Sequence, residues 1–267
     1  MKRENILRLL LGVMIAATLM ILASSTVMAA TKRKSVWYTS ERQNYYYFDK
    51  TGHKLKDGKY KIKGKYYYFD EKGRQRTGWQ KIGDSYYYFN IANKKKGYML
   101  TSTTVNGIHL GADGKAEITS YSKEKLPILY QANVLMRSIT KPRDTKEEKL
   151  KKCFEWIKSN LKYCNIGSFH KQSDWDIYYA KRIFISGYVT ADCYTCGVVF
   201  AYLANAVGYS VNAVSSGGHG WAEIGNYVYD PNWSVADKTH NYFGMPYGTT
   251  GKNVPNYAKN RYYVITI

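Results

Sequence analysis

Three side chains in the C-terminal half of the sequence have the types that nucleophilic catalysis needs: Cys193, His219 and Asp230. Cys193 heads an apolar run that reaches Val207 and stops at Gly208. Such a run reads as a buried helix opening at about 191–193. A thiol at a helix N-terminus meets the positive end of the helix dipole and unpaired N–H groups, both of which stabilise a thiolate. His219 lies in Gly217-Gly218-His219-Gly220-Trp221-Ala222-Glu223, at the start of a strand-like run, and the next run ends in Tyr229-Asp230-Pro231-Asn232-Trp233. If those runs pair as antiparallel neighbours, His219 and Asp230 come side by side and the helix presents Cys193 to the imidazole. Nucleophile, base and orienting carboxylate together are the parts of a catalytic triad for acyl transfer.

The spacing of these residues resembles the transglutaminase-like superfamily. Phe200 follows Cys193 by seven residues and Gly208 by fifteen; His219-Gly220-Trp221 and Asp230-Pro231-Asn232-Trp233 then come in the family's order. Ala191, Cys196 and Gly197 depart from the Gly and Tyr-Ala that often flank the family's nucleophile. The resemblance covers about residues 120–267. It implies a papain/transglutaminase-like catalytic domain with Cys193 as nucleophile, His219 as base and Asp230 as its orienter, acting on peptide or protein amides such as wall peptides. With water as acceptor the enzyme would be a protease or amidase; with an amine it would be a transglutaminase. The oxyanion would meet the Cys193 backbone N–H, with Trp175 and Tyr178 as candidate side-chain donors. Such chemistry calls for no cofactor.

Other readings of the same residues are weaker. Cys193-Tyr194-Thr195-Cys196 is a C-x-x-C at a helix start, but no βαβ pattern precedes it. A zinc site from Cys153, Cys164, Cys193 and Cys196 has irregular spacing. A disulfide from Cys196 to Cys153 or Cys164 fits an exported protein, as does a reversible Cys193–Cys196 bond. His53, His109, His170 and His240 have no partner at a telling spacing and read as surface or packing residues. A degenerate catalytic domain kept as a binding fold is the bland alternative.

The elements that must position the three side chains follow from periodicity. Helices are expected over 122–139, with Pro127 in its first turn, and from the Thr145-x-x-Glu148 capping box to about 163. Leu150, Cys153, Phe154, Ile157 and Leu161 form the apolar stripe of the second. Further helices are expected over 174–184 and to 207, and strands over 209–215, 220–224, 226–230 and 261–267. Helices first and strands later predict an α+β fold, with the nucleophile helix buried on an antiparallel sheet.

The region before it repeats. Tyr45-Tyr46-Tyr47-Phe48-Asp49 returns as Tyr66-Tyr67-Tyr68-Phe69-Asp70 and as Tyr86-Tyr87-Tyr88-Phe89-Asn90, with Ile108-His109-Leu110 a weaker fourth beat. Each aromatic block suits a strand and each Asp-x-x-Gly a tight turn, so every unit is about one β-hairpin that must stack into a solenoid to bury its face. These blocks resemble the cell-wall-binding repeats of choline-binding, glucan-binding and clostridial surface proteins. Tyr46, Tyr47, Tyr67, Tyr68, Trp79, Tyr87 and Tyr88 are the candidate wall-ligand residues. Only Gly78-Trp79 repeats the Gly-Trp pair whose Trp helps box choline in that family. Residues 31–120 carry a net charge of +11, part of +20 for the 267-residue chain. That charge favours an anionic wall polymer or a glycan.

Residues 1–30 read as a secretory signal: Lys2, Arg3 and Arg8, then an apolar stretch over 9–23, then Val27-Met28-Ala29. The stretch is short of the ~20 residues a membrane span needs. The resulting expectation is a signal at 1–30, wall-binding hairpins at 31–118 and a catalytic domain at 119–267. The mature chain would be extracellular and cell-wall-associated, with no membrane span left after cleavage. Export excludes most nucleic-acid roles despite the charge. An adhesin whose repeats carry the whole function is the alternative.

Overall fold

The computed structural model describes residues 34–92 and 97–267. The expected signal at 1–30 lies outside them. No described helix is long and apolar enough to cross a membrane.

The repeats are hairpins. β1 (Val36–Thr39) pairs antiparallel with β2 (Tyr45–Phe48). β3 (Gly58–Ile62) and β4 (Lys65–Phe69) form the next, followed by the short β5 (Gln75–Arg76). β6 (Gly78–Ile82) pairs with β7 (Ser85–Phe89), and β8 (Thr103–Val105) with β9 (Ile108–Leu110), the weak fourth beat. Side chains alternate across a strand, which explains the aromatic run: Tyr47, Tyr67 and Tyr87 turn inward and are buried, as are Phe69 and Phe89, while Tyr46, Tyr66, Tyr68 and Tyr88 are at least partly open. The turns close where Gly52 and Gly73 donate to the carbonyls of Asp49 and Asp70.

The described chain divides into two compact units: residues through Tyr60 with Phe69–Gln75, and Lys61–Tyr68 with Arg76–Ile267. The expected boundary between 118 and 119 falls inside the second. There Trp79, Ile108 and Leu110 share one hydrophobic cluster with the helices that follow.

Those helices are α1 (Ser120–Ile139), α2 (Lys146–Asn160), α3 (Trp175–Phe184) and α4 (Cys193–Val207). Thr119 and Thr145 cap the first two through capping boxes with Ser122 and Glu148. Pro127 sits two turns into α1 rather than in its first turn. α2 stops at Asn160, short of the expected 163, because Lys162–Tyr163 becomes strand β10, parallel to β11 (Thr190–Ala191). α4 is buried on nearly every side and ends at Gly208, whose φ of 107° favours glycine.

A five-stranded antiparallel sheet lies beside α4. Its strands β12 (Asn212–Ser215), β13 (Gly220–Ile224), β14 (Tyr227–Tyr229), β15 (Phe243–Pro246) and β16 (Tyr263–Thr266) stand in the order β15-β14-β13-β12-β16. The single turn α5 (Trp233–Ala236) follows β14. Helices before an antiparallel sheet agree with the expected α+β arrangement at that coarse level. Strands β10, β11 and β15 were not foreseen.

Candidate active site

α4 and β13 approach so closely that two positions have no room for a side chain. A Cβ at Gly197 would lie 2.7 Å from the Cα of Trp221, and one at Gly220 would lie 2.8 Å from the Cα of Tyr194. Both obstacles are backbone, so neither can swing aside. This contact lays the first turn of the helix on the strand that begins just after His219.

Each functional side chain is fixed locally. Asp192 caps α4, its carboxylate accepting from the Thr195 N–H at 2.7 Å. Burial raises the Asp192 pKa against the lowering effect of those bonds and of Arg182. Cys193 occupies the first helical position and is 8% exposed. Its amide has no acceptor within the helix. His219 ends the turn between β12 and β13. Its N–H donates to Ser216 Oγ at 2.8 Å, and Tyr194 on α4 pins the turn by donating its hydroxyl to the Gly217 carbonyl at 2.9 Å.

Asp230 is fully buried where β14 gives way to α5. Oδ1 accepts from the Trp233 N–H at 2.8 Å, an Asx-type turn that Pro231 favours by fixing its φ. Oδ2 accepts from Tyr257 at 2.8 Å and meets His219 Nε2 at 2.5 Å. Cys193 interacts with the same imidazole and adds to the raising of its pKa. With Nε2 on Asp230, Nδ1 is the nitrogen left to face the thiol. Burial works against the charged ring, but the Asp230 carboxylate and Cys193 outweigh it and raise His219 to about 10. Trp221 stacks on the ring with centroids 6.1 Å apart, and Trp233 meets it edge-on at 5.5 Å.

The structure thus brings Cys193, His219 and Asp230 together. The two candidate oxyanion donors each have an aromatic neighbour. Trp175 is buried against Phe169, and Tyr178 stacks on His170 at the surface. Tyr163 on β10 is the unforeseen phenol: burial raises its pKa first, and the charge of Cys193 next. Tyr257 was also missed, and it carries no sequence signal, since it reaches Asp230 from 27 residues away. Asp192 had a signal, being a favoured N-cap type directly before the helix. His240 is not an isolated packing residue, because its Nδ1 meets Asp237 Oδ2 at 2.8 Å.

All four cysteines are free, so the expected disulfides from Cys196 are not formed. Among the described residues no cluster of His, Cys, Asp or Glu is placed to hold a metal ion.

The wall-ligand candidates divide. Trp79 is fully buried and donates Nε1–H to Asn106 Oδ1 at 2.8 Å, so its ring is core and leaves no face for a ligand. Tyr47, Tyr67 and Tyr87 are buried as well. Tyr46, Tyr68 and Tyr88 keep partial exposure.

Residues 57–103 match the choline-binding repeat family. This stretch therefore carries a cell-wall-binding type of repeat; the match does not reach Cys193. A search of curated proteins gives no match. Among solved structures, the chain is similar to the modular Cpl-1 endolysin complexed with a peptidoglycan analogue, at 24% identity over 31% of this chain and 24% of that one, TM-score 0.27. It is similar to the choline-binding domain of Spr1274 from Streptococcus pneumoniae, at 20% identity over 31% of this chain and 93% of that one, TM-score 0.27. It is also similar to the modular autolysin LytC from Streptococcus pneumoniae, at 19% identity over 32% of this chain and 23% of that one, TM-score 0.22. This chain thus spans about a quarter of the endolysin and of the autolysin. At such scores these likenesses add nothing to the family match at 57–103.

Proposed function

We propose that the protein is a secreted, cell-wall-associated enzyme of the transglutaminase-like type, using Cys193, His219 and Asp230 for acyl transfer on peptide amides. The observation that carries this reading is the His219–Asp230 hydrogen bond, with the carboxylate fully buried and Cys193 interacting with the same imidazole. The Cys193 sulfur, as thiolate, attacks the amide carbonyl. His219 Nδ1 gives its proton to the departing nitrogen, and a thioester remains on Cys193. Water or an amine, deprotonated by His219, then attacks the thioester and releases the thiol. Asp230 holds Nε2–H, fixing the tautomer and the ring. The Cys193 amide stabilises the oxyanion. The repeats at 57–103 keep the enzyme at the wall, which raises its effective concentration there.

A non-catalytic wall-binding surface protein is the second reading, favoured because the family match lies wholly within the repeats. Incubating the full chain and Cys193→Ala with isolated cell walls and measuring released amines and new isopeptide bonds by mass spectrometry separates the two. The enzyme requires product from the wild type alone. Identical product profiles leave only the wall-binding role.

A further inference from the structure

Three tyrosine faces in the repeats carry lysines of the chain itself. Lys65 Nζ lies 3.7 Å from the ring centroid of Tyr98. Lys54 Nζ lies 5.0 Å from the ring of Tyr46, and Lys61 Nζ lies 5.8 Å from that of Tyr66. All three distances are within cation–π reach of about 6 Å. A choline headgroup recognised by aromatics needs those same faces and would meet a resident positive charge. Trp79, from the Gly-Trp pair of the repeats, is fully buried and offers no face at all.

The three lysines are nevertheless exposed. An ammonium resting on a ring keeps its other N–H donors for an anion, and the ring limits the conformations that must be frozen on binding. Lys59 and Lys61 project from the same side of β3, because alternate residues share a face. Lys63 and Lys65 follow on the adjoining turn and strand, and the region is strongly basic.

We propose that the β3–β4 hairpin binds an anionic phosphodiester polymer of the cell wall through Lys61 and Lys65, not choline. This rests on the wall-binding reading of the repeats, and the test keeps the two apart. Binding of the full chain is measured on Gram-positive walls, intact and stripped of phosphodiester polymer with hydrofluoric acid, with poly(glycerol phosphate) or choline chloride as competitor. The variant K61Q/K65Q is set against K151Q/K171Q, which removes equal charge from exposed lysines elsewhere.

Intact walls should retain the protein, stripped walls should not, and poly(glycerol phosphate) should release it while choline does not. The repeat variant should bind roughly five-fold more weakly, the size expected of two exposed charge contacts, and the control variant much less so. Release by choline, equal binding to stripped walls, or equal loss in both variants would overturn the proposal while leaving wall binding intact. Binding to neither preparation would remove the wall-binding reading and this proposal with it.

Discussion

Two histidine–aspartate pairs lie within twenty-five residues of each other, and only one has a cysteine beside its imidazole as a candidate third member. His219–Asp230 sits against a helix N-terminus that delivers a thiol, and the buried carboxylate spends one oxygen on holding a turn and the other on the imidazole and Tyr257. In His240–Asp237 the carboxylate instead gathers hydroxyls. Thr239 donates to Oδ1 at 2.6 Å and Tyr242 donates to Oδ2 at 2.6 Å. A His–Asp contact is therefore a common way to satisfy a carboxylate. What makes the first pair a site is the third member, and that member depends on α4 lying against β13.

The largest expected effect breaks the first pair's chemistry. Cys193→Ala should abolish turnover, and Asp230→Asn should lower it on the order of 10⁴-fold through the wrong imidazole tautomer. His240→Ala should leave turnover near wild type. These are read as rates of amide cleavage or transfer on wall peptides. Comparable loss in His240→Ala would erase the distinction.

Gly197→Ala attacks the positioning alone. The new methyl must push against backbone 2.7 Å away, so α4 lifts from β13. Denaturant unfolding should show destabilisation of about 1–3 kcal/mol, with reactivity at Cys193 falling in the protein that remains folded.

The smallest effects separate the pairs by pH. His219 is raised from 6.5 to about 10. Its contribution to stability is thus complete below 6.5 and fades as pH rises through about 10. The Tm gap between wild type and His219→Ala should be wide at mildly acid pH and narrow in alkali. Asp237 goes the other way, held well below the usual carboxylate range first by the Thr239 hydroxyl and then by Tyr242. Its contribution is present above about pH 4 and fades as pH falls. The Asp237→Asn gap should therefore close in acid. Gaps that close in the same direction would contradict the assigned proton positions.

Much of this could be read in the sequence because the deciding signals are local. The apolar run bounded by Gly208 marks α4, and Thr145 with Glu148 marks the start of α2. Asp192 sits where an N-cap belongs. What escaped was set by tertiary contact. Two-residue strands such as β10 and β11 have no periodicity to detect, so Tyr163 was read as helix. Gly197 inside a helix looks like a mere weakness until Trp221 is seen against it. Trp79 illustrates the limit in the repeats: alternation says that half of the aromatics point inward, but the packing partner Asn106 tells which.

The central claim is that His219 activates a buried thiol. Cys193 is 8% exposed, whereas Cys164 lies open at the surface, so accessibility alone predicts that Cys164 reacts first. Iodoacetamide labelling of the reduced full chain at mildly acid pH, mapped by peptide mass spectrometry, measures the order directly. Cys193 should label faster than Cys164, and His219→Ala should reverse the order. Cys164 labelling first in the wild type, with His219→Ala making no difference, would contradict it.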